Sequence, residues 1–153
     1  MNAGLRNSVK WARGMSNNGI SFTTDIRVRY AETDGMRVVY HGNYLTYFEE
    51  ARTNLFRTIG IVYSEIEKTG LYLVVLEAQV KYHRGALYDD ILHVKATLAE
   101  LPSVKLTINY EITRNNESEI LITGQTVHAF TNASSGKPIR PPKNYLELME
   151  KYF

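Results

Sequence analysis

Between residues 43 and 60 the apolar side chains Tyr44, Phe48, Ala51, Leu55 and Ile59 recur at steps of four, three, four and four. That spacing puts them on one stripe of an α-helix, and a one-sided helix must bury its stripe against something. Almost every other regular segment reads as a strand. Residues 22–30 alternate Ile26, Val28 and Tyr30 against Asp25, Arg27 and Arg29. Residues 91–100 alternate Leu92, Val94, Ala96 and Leu98 against His93, Lys95 and Thr97, and residues 105–114 repeat the pattern with Leu106, Ile108, Tyr110 and Ile112. A period of two marks a half-buried strand. Residues 71–83 and 119–131 are long and β-rich, with turn residues at Asn115-Asn116 and over 132–138.

Asn43 is placed to cap the helix start with its short polar side chain. Gly60 sits where a helix ends in a left-handed residue. A short second helix is expected over residues 64–68, and a terminal one over 143–152 with Tyr145, Leu148 and Met149 inward. The order is strand, long helix, then four strands. Three of those strands follow through short connections and should be antiparallel neighbours. The curved inner face of their sheet is the only surface that can bury the stripe. The expected architecture is α+β, a five-stranded antiparallel sheet wrapped around a long central helix. Such a subunit leaves a sheet edge and part of the helix uncovered, so at least a dimer is expected.

Composition narrows the function classes. The chain has 153 residues, enough for one domain and one core. No apolar run approaches the ~20 residues of a membrane span. With no cysteine, a disulfide, a thiolate metal site and a cysteine nucleophile are all excluded. A cytoplasmic protein is the simplest reading. Residues 1–19 carry Arg6, Lys10 and Arg13 without an acid, +3, while the remainder carries 15 bases and 16 acids, −1. The basic character thus belongs to residues 1–20, read as an N-terminal arm ahead of a single domain over 21–153. The domain itself has no basic face of the kind nucleic acid requires. The arm lacks the apolar core of a secretory signal. Met15, before the polar stretch Ser16-Asn17-Asn18-Gly19, offers an alternative start with residues 1–14 as an extension.

The segment with chemical content is Tyr30-Ala31-Glu32-Thr33-Asp34-Gly35-Met36-Arg37-Val38-Val39-Tyr40-His41-Gly42-Asn43-Tyr44, followed by Phe48-Glu49-Glu50-Ala51-Arg52-Thr53. It runs from a strand end into a helix N-terminus, where backbone amides are unpaired and face the positive end of the helix dipole. A thioester carbonyl placed there would have its developing oxyanion stabilised. Asp34, on the same loop, could attack the thioester carbon or activate a water to do so. Taken alone, Thr33-Asp34-Gly35 is equally turn chemistry, with Asp34 as its cap.

The same segment resembles the 4-hydroxybenzoyl-CoA thioesterase family, and is most like its short-chain acyl-CoA branch found with the Tol–Pal system. The shared residues are Tyr30, Thr33, Asp34, Val39, Tyr40, His41, Tyr44, Phe48, Glu50, Ala51, Arg52 and Thr53. The likeness extends through residues 82–90, Val127-His128-Ala129-Phe130 and Gly136-Lys137-Pro138. It implies the hotdog fold, a CoA thioester as substrate, and hydrolysis to a carboxylic acid and free CoA without metal or cofactor. It implies the catalytic carboxylate at Asp34 and the carbonyl-polarising group at the backbone amide of His41. Three positions depart from the family pattern: Glu32 replaces an aspartate, Arg37 a glycine and Gly85 a proline. Arg37 would narrow the acyl pocket, bind an acidic acyl group, or point to solvent.

The remaining candidates have a structural and a functional reading each. The His41 ring is a possible base, disfavoured as a cation at a helix N-terminus. Tyr40 is placed with substrate, as a packing group rather than an acid, and Tyr44 is read as packing. Arg84 could hold a CoA phosphate through its planar fork, or be an ordinary surface arginine. Glu49, Glu50 and Arg52 are read as a solvated face or intersubunit pairs. His93 and His128 lack metal-ligand spacing and are read as structural. Two other activities stay open on such a fold, an acyl-thioester dehydratase and a non-catalytic acyl-CoA binding module. The acyl group is open among short aliphatic, hydroxybenzoyl and naphthoyl. A homodimer or homotetramer is expected, with no nucleic-acid partner.

Overall fold

The computed structural model describes residues 19–153, so the expected basic arm lies almost wholly outside the described residues. The chain forms β1 (Ile20–Arg27), α1 (Asn43–Thr58), α2 (Tyr63–Lys68), β2 (Leu71–Tyr82), β3 (Ile91–Leu98), β4 (Lys105–Arg114), β5 (Ile122–Asn132), β6 (Pro138–Ile139) and α3 (Lys143–Glu150). The sheet order is β1-β3-β4-β5-β2, with β6 added to β5, and every pairing is antiparallel. This is the hotdog arrangement, a long helix held by a curved antiparallel sheet.

The α1 stripe is buried as its spacing predicts, and Tyr47 and Phe56 join Tyr44, Phe48, Ala51, Leu55 and Ile59. Opposite them lie the inward residues of β3 and β4, Leu92, Val94, Ala96, Leu98, Leu106, Ile108, Tyr110 and Ile112, all buried. Phe48 sets the depth of the contact. Its ring stacks on Tyr110 at 4.1 Å and 8°, and its edge fills the space where Gly124 of β5 would carry a Cβ. Gly60 ends α1 with φ +86°. Its amide reaches the Arg57 carbonyl at 3.1 Å, and the next amide, of Ile61, reaches Phe56 at 2.9 Å. These two bonds satisfy carbonyls that a helix end leaves orphaned.

The helix packs most closely along β1 and β3, and its Phe48 and Tyr44 rings carry the contact across to Tyr110 of β4, Gly124 of β5 and Tyr82 of β2. On the far side β2 pairs with β5 alone among the described residues, and its register jumps between Val75 and Glu77. Its side chains Tyr72, Val75, Leu76 and Tyr82 are left exposed.

Three boundaries differ from expectation. The first strand ends at Arg27, and Tyr30, expected inward, is 78% exposed at the start of a 3-10 turn, Tyr30–Glu32. Side-chain bonds within that turn compete with the sheet ladder and win: Glu32 Oε2 accepts the Arg29 amide at 2.8 Å, and the Thr33 hydroxyl donates to the Tyr30 carbonyl at 2.7 Å. The N-cap of α1 is Gly42, not Asn43, whose side chain turns back to donate to the Glu32 carbonyl at 2.8 Å. β5 starts at Ile122, because the Leu121 carbonyl is taken by the amides of His83 and Arg84. The expected turn over 132–138 is present and closes on the two-residue strand β6.

Adding one methyl at the helix–sheet contact tests its tightness. Gly124→Ala would press on the Phe48 ring and on the Gln79 carbonyl together. Overpacking of this kind costs about 1–3 kcal/mol. Urea denaturation should show that loss, and an unchanged midpoint would mean that the contact is loose.

Candidate active site

Residues 32–40 fold into a small hairpin. Its arms are tied by the Tyr40 amide to the Glu32 carbonyl and the Asp34 amide to the Val38 carbonyl, both at 2.9 Å, around a bridge between Thr33 and Val39. The tip is a turn closed by the Arg37 amide on the Asp34 carbonyl at 2.9 Å. Asp34 opens that turn, and its Oδ1 accepts the Met36 amide at 2.8 Å. The turn-capping reading of Asp34 is therefore correct. It leaves the other carboxylate oxygen, Oδ2, with no protein partner among the described residues, on a half-buried side chain.

Arg37 occupies the last position of the turn with φ +65°. That is the left-handed region, where glycine is at ease and an L-residue costs about 1–2 kcal/mol. The geometry accounts for glycine in the family pattern at this position. The Arg37 side chain is exposed. Gly85, in place of a proline, lies against Val38, whose Cγ1 would be 2.9 Å from an added Cβ. The Val39 amide donates to the Ala86 carbonyl at 2.9 Å, so the hairpin is bound to the loop after β2.

Two residues past the hairpin's closing arm, α1 begins. The Asn43 amide donates to the Tyr40 carbonyl at 3.0 Å, which makes His41 and Gly42 the middle of a turn leading into the helix. Neither the His41 nor the Gly42 amide has a protein acceptor among the described residues. Thus the expected amide at His41 stands unpartnered at the dipole's positive end. The His41 ring lies on Tyr40, centroids 4.2 Å apart. Tyr40 is exposed, while Tyr44 is buried and accepts the Ala86 amide at 3.1 Å, a packing residue as expected.

The fold brings Asp34, Arg37, Tyr40 and His41 onto one hairpin-to-helix segment. Arg84 lies on the adjoining loop, where its Nε pairs with Glu119 at 3.1 Å. Its fork is partly committed to that acid. Glu49 and Glu50 are exposed on α1 and take no part in the loop. His93 pairs with Asp25 at 2.6 Å on the outer sheet. No group of three or more metal-ligating side chains occurs among the described residues.

Two contacts that hold this segment were not legible in the sequence. The first is made by Glu32. Its carboxylate, nearly buried, is held by the Arg29 amide, by the Arg29 guanidinium at 2.9 Å and by the Tyr47 hydroxyl at 3.0 Å. Burial would raise its pKa, but these donors outweigh burial and hold it below the usual carboxylate range. Burial, followed by the same contact, pushes the Tyr47 hydroxyl up. One residue thereby fastens the hairpin to the helix. The second is made by Tyr82, whose hydroxyl donates to the His41 carbonyl at 3.1 Å.

The chain matches the thioesterase-like superfamily over residues 28–149 and belongs to it. It is similar to the acyl-CoA thioesterase YbgC of Haemophilus influenzae, 33% identical over 131 residues, 84% of this chain and 93% of that one. Among solved structures it resembles the DHNA-CoA thioesterase of Staphylococcus aureus, at 33% identity and TM-score 0.82, covering 86% of this chain and 90% of that one. The 4-hydroxybenzoyl-CoA thioesterase of Pseudomonas sp. strain CBS-3 shares the fold at TM-score 0.75 and 19% identity, covering 84% and 99%.

His128, expected to be structural, is fully buried beneath α1, with Nε2 2.7 Å from the Thr126 hydroxyl and Nδ1 unbonded. Burial first, and then the Arg52 charge, lower its pKa to about 3. The unfolded chain protonates this ring below about 6.5. The folded chain binds fewer protons, so stability is full above that pH and falls as pH drops towards 3. From pH 7 to 5 the loss from this residue should be about 2 kcal/mol. Urea titrations at both pH values should show a smaller loss in His128→Gln, and parallel losses would contradict a buried neutral ring.

Proposed function

We propose that the chain is an acyl-CoA thioesterase in which Asp34 and the His41 amide act on the thioester carbonyl. Membership of the thioesterase-like superfamily supports the reaction. One geometric observation carries the site: a carboxylate with a spare oxygen on the same short segment as an unpartnered amide at a helix start. The thioester carbonyl oxygen accepts from the His41 N–H, which favours the charge that builds on it. Asp34 then attacks the carbonyl carbon, or takes the proton from a water that attacks. On the first route the C–S bond breaks, CoA leaves as the thiol, and water then hydrolyses the acyl–Asp34 anhydride to free the carboxylic acid and restore the carboxylate; on the second, water's attack breaks the C–S bond and gives the thiol and the acid directly. Carboxylate, amide and water suffice for this chemistry. The family relation and the carboxylate both favour it over dehydration or mere binding.

Substrate contacts fall to the exposed side chains around the segment. Arg84 would meet a CoA phosphate, Arg37 an acidic acyl group, and Tyr40 the substrate beside them. A homodimer or homotetramer completes the reading. Its support is the β2 edge, unpaired among the described residues and rich in exposed apolar side chains, since such an edge invites pairing. A cytoplasmic setting suits a CoA ester. No helix among the described residues is long and apolar enough to cross a membrane.

Asp34→Asn is a clean test, because an amide oxygen can still accept the Met36 N–H and keep the turn. Release of CoA thiol from a panel of aliphatic and aromatic acyl-CoA esters should fall about a thousandfold. Thermal stability and CoA affinity should stay at the parent's level. Turnover near the parent's rate would refute the assignment.

A further inference from the structure

We infer that Tyr82 is a positioning residue of the thioester site, an inference that rests on the thioesterase reading above. Tyr82 closes β2, and its hydroxyl crosses 41 positions of sequence to donate to the His41 carbonyl at 3.1 Å. That carbonyl and the Gly42 N–H are the two ends of one peptide unit. The unit is planar and rigid, so holding its oxygen orients its N–H. A donor on the oxygen also polarises the unit and makes its N–H a stronger donor.

The surroundings serve the same end. The Tyr82 ring stands edge-on to the His41 ring at 6.4 Å and packs on buried Tyr44 at 5.7 Å. The hydroxyl is therefore held from a fixed base. Gly42 has no side chain, and a Cβ there would come within 2.9 Å of the Tyr40 ring. Tyr40 and Tyr82 thus hold the His41–Gly42 peptide between them. The consequence is that the Gly42 amide, unpartnered like its neighbour His41, is held in orientation as a second donor, where the loop reading by itself supplies His41 alone. Two donors fixed before substrate arrives need no reorganisation as charge builds on the carbonyl oxygen.

Tyr82→Phe removes the hydroxyl and keeps the ring. The full-length protein is assayed by thiol release with butyryl-CoA and 4-hydroxybenzoyl-CoA as probes, alongside Asp34→Asn. The expected result is a fall in kcat of about tenfold, less than loss of an oxyanion donor itself. KM and thermal midpoint should stay unchanged. A kcat equal to the parent's overturns the proposal, and so does a loss carried by KM or matched by a lower thermal midpoint. An inert Asp34→Asn beside an unimpaired Tyr82→Phe refutes the positioning role alone. A normally active Asp34→Asn refutes the site assignment, and the role with it.

Discussion

The stripe of α1 against the inner sheet is the contact on which the other features depend. Phe48 is wedged between the Tyr110 ring and the bare backbone of Gly124, with Ala51 and Leu55 fully buried behind it. Burying each large side chain there contributes about 1.5–3 kcal/mol. More important for function, the wedge fixes the helix along its own axis. A one-residue slip would drive Phe48 into β5. With the axis fixed, the free amides at the helix start have a fixed address relative to the sheet.

The hairpin that bears Asp34 is then fastened to that address from three sides. The Glu32 carboxylate takes the Tyr47 hydroxyl of α1, the Glu32 carbonyl takes the Asn43 side chain, and the Val39 amide takes the Ala86 carbonyl. These bonds offset a backbone cost that the turn itself carries, the left-handed Arg37. A loop strained at one position and bonded at its neighbours has little freedom to wander. That is the property a carboxylate needs if it is to meet a carbonyl at one point.

Much of this was legible before any coordinates. The period of α1, the Gly60 stop and the three sequential strands are local patterns, and each is found in the fold, the last strand starting at Ile122 and not at Glu119. Asp34 and His41 were legible as candidates because the motif is long and contiguous. What escaped was non-local or depended on competition. Tyr30 reads as the inward end of an alternating strand, yet Glu32 captures the Arg29 amide and ends the strand early. Asn43 reads as a cap, yet its side chain is drawn to a carbonyl eleven residues back. Tyr82 could not be connected to His41, because only the closure of the sheet brings them together. The exposed side chains of β2 follow from its place at the sheet edge, and no pattern in β2 announces that place.

The most direct measurement is a crystal structure of the Asp34→Asn variant with an unhydrolysed CoA thioester bound. The thioester carbonyl oxygen should lie within hydrogen-bond reach of the His41 amide, with the substituted side chain facing the carbonyl carbon and a CoA phosphate near Arg84. A thioester bound with its carbonyl away from the α1 N-terminus would contradict the account.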